Sequence, residues 1–200
     1  MNQVYTNAQE KLDMHGLKKI FIGGLIVFLH FRINGFDIIA DFVGYIFMVS
    51  GLTDLSKVSI KYAKAKPIAI WLVILSLFSL YEFSVDGFLV LSLLFGLIFL
   101  ALDLTLIHMI CSTTAETALE YNQQRLAKSF KSCWVFIFVA RIMTYIIMSI
   151  VEGVPITVIY IIAAVAAQIY YLVMLVKGYN GLNGKYKDFG IEESDEEKAY

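Results

Sequence analysis

The chain has 200 residues, of which 59% are hydrophobic and 16% charged, against about half and about a quarter for a typical soluble domain. The formal net charge is −1, and the lysines are spread through short segments instead of forming a basic domain, so nucleic-acid binding is excluded as a working function. The composition instead predicts an all-α, polytopic membrane bundle of six transmembrane helices arranged as three consecutive hairpins.

Residues 1–16 read as a cytoplasmic N-terminal segment. The first apolar run, 17–33, follows Lys18 and Lys19 but precedes no small-residue cleavage site, so it is expected to stay as an uncleaved first span. The second span is placed at 36–54 and the third at 67–84. A rise of 1.5 Å per residue requires about 20 residues for a hydrocarbon core of about 30 Å, and the first two runs are the shortest.

Four positions interrupt apolarity around the first turn. His30 and Arg32 close span one, and Asp37 and Asp41 open span two, forming a candidate outer polar cluster. Asp37, Asp41, Gly44, Met48 and Gly51 fall at spacings of four and three, which defines one helical stripe. Its glycines allow close helix approach and turn the carboxylates towards protein. Glu82, Asp86 and Glu152 are expected at the same surface.

Between spans two and three, Lys57, Lys61 and Lys64 oppose Leu55, Val58 and Tyr62. This predicts a short basic amphipathic helix on the inner leaflet.

The fourth span is placed at 87–111, the fifth at 133–151 and the sixth at 154–177. Asp103 lies eight residues before the inner end of span four, and Arg141 eight residues after the inner start of span five. Both are therefore about 12 Å deep from the same side, and an intramembrane charge pair is the expectation. The 112–132 loop carries a stripe of Ala115, Leu119, Leu126 and Phe130. Residues 178–200 read as a disordered tail ending in Glu192, Glu193, Asp195, Glu196 and Glu197.

Of the 16 lysines and arginines, all but Arg32 and Arg141 fall on the side of the termini and the two long loops. The positive-inside rule places that side in the cytoplasm. Cys111 and Cys133 then face a reducing compartment as free thiols, without the further ligands that structural zinc requires. No metal or cofactor is expected. There is no HExxH sequence, and Met48-Val49-Ser50-Gly51 lacks the first glycine of an intramembrane serine-protease motif. No nucleophile, base and oxyanion set can be assembled, so no catalytic residues are assigned.

The stretch Arg32-Ile33-Asn34-Gly35-Phe36-Asp37-Ile38-Ile39-Ala40-Asp41-Phe42-Val43-Gly44-Tyr45 resembles a motif of an uncharacterised family of small multi-pass membrane proteins of Gram-positive bacteria. In that family a proline often precedes the second aspartate, where Ala40 stands here. The resemblance covers spans one and two and implies a bacterial plasma membrane, without an activity. Size and span number are also similar to the substrate-binding subunits of energy-coupling-factor vitamin transporters. The leading expectation is a non-catalytic accessory, regulatory or immunity-type membrane component. Its partners would be the lipid bilayer and either a membrane protein or a second copy. The alternative is a small permease or transporter subunit using Asp41, Asp103 and Arg141.

Overall fold

A computed structural model describes residues 11–29, 32–33, 36–37, 41–79, 89–150 and 154–186. Within them the chain is all-α apart from one minimal ladder. Six helices are present: α1 (His15–Leu29), α2 (Asp41–Leu55), α3 (Ile60–Ser79), α4 (Leu89–Glu120), α5 (Gln124–Ile150) and α6 (Val154–Leu182). Between α1 and α2, β1 (Arg32–Ile33) pairs antiparallel with β2 (Phe36–Asp37), setting Arg32 opposite Asp37. The predicted first and second spans therefore shorten to 15 residues each, about 22 Å of helix. Asp37 sits in the ladder and not on the α2 stripe, which begins at Asp41.

Among the described residues, three helical segments are long and apolar enough to cross a membrane: Leu94–Glu120 in α4, Gln124–Ile146 in α5 and Ile162–Leu182 in α6. The first two helices fall short by length. In α3, Lys61, Lys64 and Lys66 occupy the first two turns and leave a short apolar remainder. The basic amphipathic helix expected between spans two and three does not form separately. Residues 56–58 turn, Ser59 accepts from the Lys61 backbone N–H at 3.3 Å, and the helix then runs unbroken through Pro67.

The 112–132 segment is likewise the continuation of α4 and α5 and not a loop. Its turn is a Schellman closure: the Gln123 N–H bonds the Ala118 carbonyl at 2.7 Å, and the Asn122 N–H bonds the Leu119 carbonyl at 3.1 Å. Asn122 supplies the left-handed residue with φ of 57°. This turn divides the Ala115, Leu119, Leu126 and Phe130 stripe between two helices. Ala115 and Phe130 are buried, whereas Leu119 is exposed.

Every helix packs on its chain neighbours, and α6 returns to α1, closing a ring. The tightest joint is α1 on α2. Gly16 faces Gly51, and Gly23 faces Gly44, each pair seven residues from the next along both helices. A Cβ on any of the four would fall closer than 3.0 Å to the facing carbonyl oxygen. Lys19 secures the same joint by bridging Asp54 at 2.7 Å and Ser50 at 3.2 Å.

Gly44 and Gly96 differ in setting. Gly96 looks onto the Tyr145 ring with room for a methyl group, at 3.8 Å.

At the other closure, Gly178 admits the Phe130 ring and Gly181 lies against Leu126, so the expected tail begins as buried helix. The chain then turns at Gly184, with φ of 79°. The Leu12 N–H donates to the Lys185 carbonyl at 2.9 Å, and the Gly184 N–H returns to the Leu12 carbonyl at 2.8 Å. Asn183 Oδ1 accepts the Met14 N–H at 3.1 Å, capping the entry to α1. The start of α1 and the end of α6 thus lie at one end of the bundle. The acidic run 192–197 lies outside the described residues.

The same end is buttressed on its other side. Tyr62, fully buried on α3, exchanges a hydrogen bond with Thr114 on α4 at 2.9 Å, and burial pushes its phenol up. Lys61 reaches Glu116 at 2.7 Å across the same contact.

Candidate functional site

Asp103 on α4 is 6% exposed, in a helix whose neighbouring turns are almost wholly apolar. A carboxylate there needs donors, because an unpaired charge in a low-dielectric interior is costly. Three helices converge on it or on its partner. The Tyr45 hydroxyl of α2 donates to Asp103 Oδ1 at 3.3 Å. Arg141 Nη2 of α5 stands 3.7 Å from Asp103 Oδ2. That same Nη2 donates to Gln168 Oε1 of α6 at 2.9 Å.

The network therefore ties α2, α4, α5 and α6 across the ring. Tyr45 is anchored by an edge-on contact with Phe99, their centroids 5.9 Å apart. Gln168 is itself buried, so its amide oxygen replaces water as an acceptor for the guanidinium.

Neither Tyr45 nor Gln168 is singled out by reading the sequence. Tyr45 stands four residues beyond Asp41, on one helical face with it. Gln168 is the sole amide within the apolar 154–177 run. A lone glutamine in such a run is the available signal, since its amide has no reason to face lipid.

Of the outer polar cluster, Asp41 is described as the first residue of α2, where a carboxylate opposes the positive end of the helix dipole. Arg32 and Asp37 are placed by backbone alone, as opposed residues of the ladder. His30, Glu82, Asp86 and Glu152 lie outside the described residues.

Deeper towards the end holding the termini, Cys111 and Cys133 are both buried free thiols. Cys111 lies on α4 and Cys133 on α5. The Tyr171 hydroxyl is buried with no hydrogen-bond partner among the described residues. No group of three or more His, Cys, Asp or Glu among those residues could hold a metal ion.

On the outer surface of the same α4 and α5 pair, an open groove of about 330 Å³ runs past Leu97, Ala101, Leu104, Phe138 and Ile142. The His108 and Trp134 rings meet at a tilt of 55° across its end, with centroids 4.6 Å apart. Comparison with family models, with curated proteins and with solved structures finds no match to this chain.

Proposed function

We propose that the chain is a six-span protein of a bacterial plasma membrane with both termini in the cytoplasm, acting as a non-catalytic accessory, regulatory or immunity-type component. The closed ring supports the span count, because it stands α1, α2 and α3 alongside the three helices that are long enough to cross. The pairing of Leu12 with Gly184 and Lys185 supports placing both termini on one side, as an even number of crossings requires. The segregation of basic residues supports calling that side cytoplasmic.

The observation that carries the non-catalytic reading is that Asp103 and Arg141 take their partners from within the bundle, Tyr45 for the carboxylate and Gln168 for the guanidinium. The polar contacts thereby link four helices, as a latch between helices would. Complementation of a deletion strain tests it. A variant carrying Asp103→Asn with Arg141→Gln should restore the wild-type phenotype when it accumulates to wild-type level. Loss of the phenotype at full accumulation would show that the charges themselves are needed.

One observation favours the permease reading. Asp41 at the mouth of α2, Tyr45 a turn deeper and Asp103 beyond it form a succession of polar groups leading inward. In that reading substrate uptake fails in Asp41→Asn while the folded protein persists in the membrane.

A further inference from the structure

We propose that the outer groove between α4 and α5 holds one acyl chain of an anionic phospholipid, with its headgroup against His108, Trp134 and Lys131. This rests on the membrane reading above and names a ligand for a surface that reading leaves open.

The groove has the two-part chemistry of a lipid. Its walls are apolar, with Leu97 and Phe138 exposed at the rim and Leu104 buried at the floor. From Leu97 to His108 it follows α4 for eleven residues, about 16 Å. That is close to half of a hydrocarbon core of about 30 Å, the reach of one leaflet's chains.

Ala101 keeps the middle of the channel open, since a larger side chain there would fill it. At the end nearer the termini the lining turns polar with Thr105, His108 and the Trp134 ring. An indole at this level is typical of the interface between acyl chains and headgroups.

Charge decides between headgroups. Lys131, exposed, lies one turn beyond Trp134 on a neighbouring face of α5. Glu116, two turns beyond His108 on α4, is engaged by Lys61 of α3 at 2.7 Å. A phosphate bearing a net negative charge is therefore favoured over a zwitterionic headgroup at this rim.

Native mass spectrometry of the detergent-purified full chain tests the proposal with phosphatidylglycerol and phosphatidylcholine of identical acyl chains. The wild type should retain one phosphatidylglycerol in preference to phosphatidylcholine. Ala101→Phe, and independently Thr105→Phe, should lose the retained lipid while keeping the wild-type thermal midpoint. Lys131→Gln should still bind lipid, with its preference for phosphatidylglycerol reduced about fivefold.

Equal retention of the two lipids, or undiminished retention in both groove-filling variants, overturns the proposal. So does a wild-type dimer, or a stoichiometric protein partner, that the filling variants release, because a protein would then occupy the groove. Release of the chain from membranes by alkaline carbonate would instead break the membrane reading, before any lipid is counted.

Discussion

Arg141 is held more closely by Gln168 than by Asp103: its Nη2 lies 2.9 Å from the amide oxygen and 3.7 Å from the carboxylate. The guanidinium thus spans α4 and α6 from its place on α5, and its loss would remove the polar link among three packed helices. Asp103 is the more deeply buried of the two, so Arg141→Gln leaves the less solvated charge behind. That variant should be the worse single change, losing about 3 kcal/mol in detergent. The double change Asp103→Asn with Arg141→Gln should recover part of this loss, as followed by thermal unfolding. A double variant less stable than either single one would show that the charges do not act as a pair.

The glycines separate into two classes by what faces them. Gly23→Ala and Gly44→Ala each push a methyl group into a backbone carbonyl that cannot rotate away, so α1 and α2 must part. A loss of about 1–3 kcal/mol is expected. Gly96→Ala meets only ordinary contact with Tyr145 and should be neutral, or stabilising by up to about 1 kcal/mol through helix propensity. Thermal midpoints of the three variants provide the comparison.

Two buried tyrosines should respond oppositely to loss of the hydroxyl. Tyr62→Phe removes the bond to Thr114, and about 1 kcal/mol should be lost. Tyr171→Phe removes a buried hydroxyl that has no hydrogen-bond partner among the described residues, so stability should hold or rise. Chemical denaturation of both variants alongside the wild type reads the difference directly.

A weak acid dependence is expected at the entry to α1. The backbone N–H of His15, then its ring, bond the Asp13 carboxylate at 2.9 and 2.8 Å and lower its pKa. A depressed carboxylate contributes stability that is present above its unfolded value of about 3.9. That contribution is lost as pH falls through the lower folded value. Asp13 is largely exposed, so the effect is local. An NMR titration should place its midpoint below the ordinary carboxylate range, and His15→Ala should move it upward.

Much of the molecule is legible in the sequence because its long apolar runs are of helical length. Apolar runs locate all six helices, and residue depth brings Asp103 and Arg141 to neighbouring turns. The helix limits are less legible where local bonding competes with apolarity. The α1 helix stops at Leu29 although Ile33 and Phe36 continue the apolar pattern, because those residues enter a ladder. At the opposite end α4 runs on to Glu120, since Thr113, Thr114, Ala115 and Thr117 pack inside the bundle. Asn122 marks the true stop, but a single αL asparagine is easily lost beside a charged segment. Tyr45 and Gln168 become polar partners only when helices distant in sequence are brought together.

The central claim, six crossings with the termini inside, is tested most directly by site-directed thiol labelling in intact cells. Cys111 and Cys133 are buried and form a quiet background. Arg125→Cys on the exposed start of α5 and Asp86→Cys in the 84–87 connection provide one probe for each side. An impermeant maleimide should modify Asp86→Cys in intact cells, and Arg125→Cys only after the membrane is opened. Modification of both variants in intact cells, or the reverse order, would contradict the account.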